Sequence, residues 1–253
     1  MKKSSIMLTD DSYAAKREQV LAVATPTATK TWQPVANAEL INRVEDQLGN
    51  RGFEIVQTDY ALAKKDAQAF IVWHIANENR EDMRGMLLAR QSLDKSLSIM
   101  LAGGTSVAVC TNLCVFGATV KHVRKHTSNV MRDLHSVIES AVDGIHRANI
   151  VGNTFSRRLV DTPVDEVEGY RTLGELVGRK LIMPNQATIA YRDWQDARHP
   201  EFEDRNAWSL YNCATEGLKK SRPEVRAQQH SRLTSAFVGL YDIPVPDNVW
   251  TQN

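Results

Sequence analysis

Neither sign of charge prevails in this chain. Lysine plus arginine numbers 31 against 30 for aspartate plus glutamate over 253 residues, a net charge of +1. No global field therefore draws it to nucleic acid, and any such binding must use a local patch. Cysteine is scarce: Cys110, Cys114 and Cys213 are the three present. An odd, small number in a chain of ordinary size argues against a disulfide framework and for reduced thiols buried as small apolar side chains. Long apolar runs are absent as well. Leu97 to Leu101 and Val107 to Phe116 are broken by polar residues and fall short of the ~20 residues a spanning helix needs, so no membrane partner is expected. Lys2 and Lys3 lead into Ser4 to Asp11 without an apolar core, so no signal peptide is expected and the expected location is the cytoplasm. No Gly-x-x-x-x-Gly-Lys-(Ser/Thr) loop and no Gly-x-Ser-x-Gly elbow occurs, which leaves ATP hydrolysis and esterase chemistry without support. Repeats and low-complexity tracts are missing too.

Hydrophobic residues at 42% and charged residues at 24% are what a folded chain with its own core carries. The expected organisation is an arm over residues 1–31, one domain over 32–240, and a tail over 241–253 that holds Pro244 and Pro246. Within the arm, a short helical piece spans Tyr13 to Val23. Asn37 is placed to cap a helix in which Leu40, Ile41, Val44 and Leu48 share a face, with stop signals at Gly49 and Gly52. From Phe53 to Thr127 short apolar runs alternate with turn residues. They predict antiparallel strands near 53–62, 67–75, 85–91, 97–102, 106–110 and 119–125, with turns at Lys64–Lys65–Asp66, Asp94–Lys95–Ser96 and Gly103–Gly104. The period then becomes helical: Val130, Leu134, Val137, Ile138, Ala141, Ile145 and Ala148 share one face behind a cap at Thr127 or Ser128. A sheet followed at once by a long amphipathic helix predicts an α+β fold, an antiparallel meander packed against that helix. Additional helices are expected in the C-terminal part, around Leu173 to Leu181 and Ala207 to Lys220.

The run from Asp94 reads Asp-Lys-Ser-Leu-Ser-Ile-Met-Leu-Ala-Gly-Gly-Thr-Ser-Val-Ala-Val-Cys-Thr-Asn-Leu-Cys-Val-Phe-Gly, and Arg124-Lys125-His126-Thr127 follows. This pattern resembles the phage/plasmid-like family known as domain of unknown function 932 (DUF932). A Ser-x-Asp-(Lys or Gly)-Ser segment falls on Ser92, Asp94, Lys95 and Ser96, a Val-Cys-x-Asn turn on Cys110 and Asn112, and a glycine on Gly117. The Arg-(Lys)-His-Thr segment ends on Thr127. A second patch, Trp208-Ser-Leu-Tyr-Asn-Cys-Ala-Thr-Glu, is similar to the family's Trp-x-Leu-x-Asn-Ala-x-Thr segment, so the likeness covers about Trp32 to Leu233. The resemblance implies a fold and a mobile-element context, with the host cytoplasm as location if the chain is phage-encoded. It implies no activity.

Positive charge gathers at Lys121, His122, Arg124, Lys125 and His126, then at Arg132 and His135, with Asp133 opposing. On a strand, Lys121 and Lys125 project to one face and His122, Arg124 and His126 to the other, beside the free backbone donors of the long helix. Two readings stand: a phosphate site, or a strand edge kept from aggregating by its charges. Cys110, Cys114, His122 and His126 spell Cys-x3-Cys-x7-His-x3-His, but the interval is shorter than the ~12 residues of a ββα finger. Buried cysteines and strand histidines explain them better, and no metal is assigned. Asp94 and Lys95 with Glu54, Asp59 and Asp66 could be assembled into a nuclease site, yet turn and strand-surface roles account for each. Trp194 and Trp208, with Tyr191 and Tyr211 near Arg192, Arg198 and Arg205, could stack bases, but their helical spacing favours core.

The resulting expectation is a nucleic-acid-binding accessory of phage or plasmid replication or recombination, with single-stranded DNA as partner and neither catalysis nor a cofactor. The contact residues are Lys121, Arg124, Lys125, His126 and Arg132. The alternative from another class is a protein-interaction factor that modifies host functions through a host protein. A homo-oligomer is left open.

Overall fold

The structure, a computed structural model, describes residues 12–77, 83–107, 113–114, 121–221 and 223–244. The chain divides into two compact units. Among the described residues, those up to 104 and from 121 to 149 form the first, and the remainder form the second.

The first unit is an antiparallel sheet with helices on one face. Strands β1 (Ser12–Ala15), β2 (Ile55–Ala63), β3 (Gln68–Ile75), β4 (Met83–Ser92) and β5 (Ile99–Val107) are neighbours in sequence order. β6 (Leu113–Cys114) pairs Thr105 and Ser106, and β7 (Lys121–Arg124) pairs Ile99 to Ala102. The meander follows from short apolar runs joined by tight turns, since consecutive antiparallel strands need the shortest connections. Lys64, Lys65 and Asp66 all take positive φ, at 53°, 54° and 68°, so the β2–β3 turn is made without glycine. Tyr13 Oη donates to Asp66 Oδ1 at 2.6 Å and fastens that turn to β1. Every residue of β3 is buried, which is why Ala69-Phe-Ile-Val-Trp73 reads as a continuous apolar run and not as an alternation.

Two expectations about elements change here. Ser12–Ala15 is a strand on β2, with only Arg17–Leu21 helical (α1); Val20 is fully buried and draws this piece into the core. Gly103 and Gly104 lie inside β5 and make no turn. Glycine permits a turn without requiring one, and the paired residues on both sides carry the strand through.

Helix α2 (Asn37–Asn50) buries Leu40, Ile41, Val44 and Leu48, as the spacing predicts, and Gly52 at φ 74° follows its end. Its cap differs from expectation. Ala36 occupies the cap position with no side-chain bond, while Asn37 is buried, donates to the Val20 carbonyl at 3.3 Å and accepts from Gln91 Nε2 at 2.6 Å. Gln91 also donates to the Val35 carbonyl at 3.1 Å. A buried amide must spend its hydrogen bonds on the nearest orphan groups, and here those belong to the segment preceding the helix.

Helix α3 (Val130–Val160) begins with the Asp133 N–H donating to Asn129 O at 3.1 Å, so the cap falls just after Thr127 and Ser128. Val130, Leu134, Ile138, Ala141, Val142 and Ile145 join Leu40, Ile41, Val44 and Leu48 on the sheet face made by Tyr60, Leu62, Ile71, Trp73, Leu87, Ala89, Ile99 and Leu101. At 25 cal/mol per Å² such burial is the main stabilising term of a domain. The helix outruns its predicted end because Val151, Phe155 and Leu159 continue the buried period into the second unit.

The second unit takes the end of β5, β6 and the last part of α3, and is otherwise helical, with α4 (Glu166–Gly178), α5 (Pro184–Gln195), α6 (Ala207–Leu218) and α7 (Pro223–Leu240). Asp165 and Asn206 cap α4 and α6 by accepting from Glu168 N at 2.7 Å and Ser209 N at 2.9 Å, and Pro184 opens α5 at a position where no N–H is needed. α6 is buried on nearly every side. Tyr211 stacks on Trp208 at 5.6 Å and meets Phe155 and Phe237 edge-on at 5.1 Å each. Among the described residues, no helix is long and apolar enough to cross a membrane.

Candidate nucleic-acid interface

The turn between β4 and β5 is built by its own polar side chains. Ser92 Oγ accepts from Leu97 N at 2.8 Å and donates to Leu97 O at 3.2 Å. Asp94 Oδ1 accepts from Ser96 N at 2.9 Å and from Ser96 Oγ, which Gln68 Nε2 reaches at 2.9 Å. Partial burial pushes the Asp94 carboxyl up, but the bonds from Ser96 and Ser92 hold it below the usual carboxylate range. Asp94 is thus a turn anchor and stays ionised. Lys95 takes φ 69° beside it, and its Nζ stands 5.0 Å from the centroid of the Trp32 ring.

The basic segment reaches Trp32 from the other direction. β7 pairs Ile99 with Arg124 and Leu101 with His122, which turns His122 and Arg124 toward α3 and leaves Val123, 55% exposed, pointing outward. Of Lys121 only the backbone position in β7 is described. Arg124 donates to Asp133 Oδ2, and Arg132 Nε donates to Asp133 Oδ1 at 3.0 Å. One carboxylate between two guanidinium groups leaves net positive charge at the start of α3. Burial first, then Arg147, lowers the His122 pKa. Lys125 is exposed and extends past the end of β7. The Thr127 carbonyl accepts from Val130 N at 2.9 Å in the turn that leads into the helix.

His126 faces inward. It is buried, its Nδ1 lies 3.3 Å from the Gln33 carbonyl, and its own carbonyl accepts from Gln33 N at 3.1 Å. Its ring meets that of Trp32 at 6.3 Å, tilted by 49°. Burial lowers its pKa, with the Gln33 carbonyl acting the other way, and its buried Nε2 has no hydrogen-bond partner among the described residues. His126 therefore positions the segment, and the outward charge comes from Lys125.

Trp32 carries no sequence pattern that marks it as a site residue. It sits half-buried in an irregular stretch, held by its N–H to Thr29 Oγ1 at 3.2 Å and by its carbonyl, which accepts from Thr29 N at 2.8 Å. A tryptophan in a Thr- and Pro-rich stretch, outside any amphipathic element, was the available signal. The Asp94–Lys95–Ser96 turn and the Arg124–Thr127 segment, some thirty residues apart in sequence, meet at this ring. Cys110, Asn112 and Gly117 lie outside the described residues. Of the Cys-and-His set, Cys110 falls in that same gap and Cys114 is described only by its strand position. Among the described residues, no three histidine, cysteine, aspartate or glutamate side chains gather as a metal set.

Of the other aromatic candidates, Tyr191 is half-buried beside Tyr170 and the remaining three are core. Trp194, Trp208 and Tyr211 are 2%, 5% and 0% exposed, so no base can stack on them. Arg205 lies 4.5 Å over the Trp194 ring and donates to the Trp194 carbonyl. Arg198 ties Asp193 at 3.1 Å to Glu216 at 2.8 Å. Burial raises the Asp193 carboxyl against the pull of Arg198, and burial pushes the Cys213 thiol up to about 12, so it is an inert protonated thiol. The possible nuclease carboxylates are also dispersed: Asp59 pairs with His74 at 3.3 Å, and Asp66 with Tyr13.

The family model described as a domain of unknown function (DUF932) matches residues 26–237. No curated protein and no solved structure matches the chain.

Proposed function

The chain belongs to the family of the domain of unknown function DUF932, and from that premise we propose that it is a nucleic-acid-binding accessory protein of phage or plasmid replication or recombination, with single-stranded DNA as ligand and no catalysis. The observation that carries this reading is the meeting of Lys95 and His126 at the Trp32 ring, with Lys125 exposed next to His126 and with Arg124 and Arg132 sharing Asp133 at the start of α3. Two carboxylates oppose them there, Asp94 and Asp133. The first is tied to Ser96 and the second is shared by two arginines. Such a patch attracts phosphates without a large net charge on the chain, which suits the overall balance of 31 to 30.

Binding by several phosphate contacts releases counterions and weakens steeply with salt. A mobility-shift titration with single- and double-stranded DNA at low salt tests the reading. The expected result is a salt-sensitive complex that favours the single strand. Absence of any complex at micromolar protein overturns it.

A further inference from the structure

We propose that Trp32 is the base-stacking residue of this interface and that Lys95 covers its ring until a base arrives, then moves to a neighbouring phosphate. The inference rests on the single-strand reading above and names the groups that would distinguish a single strand from a duplex.

Four observations support it. Trp32 is half-buried, whereas Trp73, Trp194 and Trp208 are between 0% and 5% exposed, so among the described tryptophans Trp32 alone keeps appreciable exposure. Its backbone is held on both sides, by Thr29 and by the paired bonds between Gln33 and His126, so the ring is preorganised and little ordering cost falls on binding. His126, 6% exposed, packs beside that ring and backs it. Exposed Lys125 and Lys95 lie on the two motif segments that meet there, the arrangement of a stacking platform flanked by phosphate contacts.

Magnitudes decide which partner keeps the ring. An ammonium over an aromatic face at a partly exposed site is favoured by a factor of roughly 2 to 5. A base stacked on the same face is favoured by a factor of roughly 5 to 150. The base displaces the lysine, and the freed ammonium gains a phosphate partner on the strand just bound. A duplex keeps its base faces in its own stack and offers Trp32 nothing.

The test uses the full chain carrying W250F, so that emission reports Trp32 against the three buried tryptophans, titrated with oligothymidylate and with a duplex. The expected result is saturable quenching by the single strand, at the concentration that gives the mobility shift, and none by the duplex. W32A should lower affinity roughly 5- to 150-fold, and W32F, which keeps an aromatic face, should retain most of it. K95M should reduce the slope of log affinity against log salt by about 0.7, one phosphate contact on a single strand. Quenching is read on the intact ring, so it decides the matter even if W32A does not fold. Salt-sensitive binding without quenching, with W32F or W32A at wild-type affinity, overturns the stacking role and leaves the basic-segment reading standing. Absence of binding removes both.

Discussion

Gln33 and His126, 93 residues apart in the chain, are joined twice: the Gln33 N–H donates to the His126 carbonyl at 3.1 Å, and His126 Nδ1 lies 3.3 Å from the Gln33 carbonyl. This double link fastens the irregular stretch that carries Trp32 to the turn between β7 and α3. The neutral Nδ1–H tautomer satisfies the carbonyl, and burial keeps the ring from charging.

That burial sets a pH dependence. The folded pKa of His126 lies below its ordinary value of 6.5, and that of His122 is lowered in the same direction. Below pH 6.5 the unfolded chain therefore binds more protons, so the stabilisation present above that pH is lost as the pH falls through 6.5 toward the folded values. The melting temperature should drop on acidification over this range. H126Q should flatten the dependence while lowering stability at neutral pH by roughly 1–3 kcal/mol, the cost of disturbing a buried hydrogen-bonded group. An unchanged slope in H126Q would show that another group carries the effect.

Asp133 restrains the patch it belongs to. Because it holds both Arg124 and Arg132, D133N should free positive charge, tighten single-strand binding and steepen its salt dependence. The same change removes an acidic group from the first turn of α3 and should cost about 0.3–1 kcal/mol of stability. Binding isotherms at several salt concentrations, read beside thermal melts, separate the two effects. Weaker binding by a folded D133N would contradict phosphate contacts at these arginines.

Replacing Arg124 and Lys125 together by alanine should weaken binding to all sequences alike. The slope of log affinity against log salt should fall by about 0.7 to 1.4 for a single strand, nearer the lower figure if Arg124 stays committed to Asp133. The fold should survive, as both side chains keep some exposure and charged surface groups contribute little. Circular dichroism of the double variant checks this, and an unfolded variant would make the segment architectural.

Close helix packing in the second unit predicts intolerance to a single methyl group. A Cβ on Gly217 would lie 2.6 Å from the Gln186 carbonyl oxygen, and one on Gly169 would lie 2.3 Å from the Trp194 ring. Backbone and indole cannot yield as a flexible chain end can, so G217A and G169A should each destabilise by roughly 1–3 kcal/mol or more. Gly178, with open space around its Cβ position, is the control, and G178A should be neutral or mildly stabilising in a denaturant titration.

The sequence alone determined where most elements lie. The apolar period of Leu40, Ile41, Val44 and Leu48 and of Val130, Leu134, Ile138, Ala141 and Ile145 marks α2 and the start of α3 because a helix buries one stripe. The runs at 55–63 and 68–75 mark strands because their turns are short. Periodicity states which side of an element is apolar. It does not state which distant group meets a polar side chain. Asn37 has a cap residue's side chain but stands one position inside the helix as a buried partner of Gln91; Arg124 has the position of a phosphate ligand and found Asp133 one helical turn into α3; Trp194 and Trp208 stand among arginines and went to the core. Trp32 has no pattern of its own. Only the tertiary structure could place Lys95 and His126 beside it, because that meeting depends on the lengths of β5 and β7 and on backbone hydrogen bonds, which any side chain can flank.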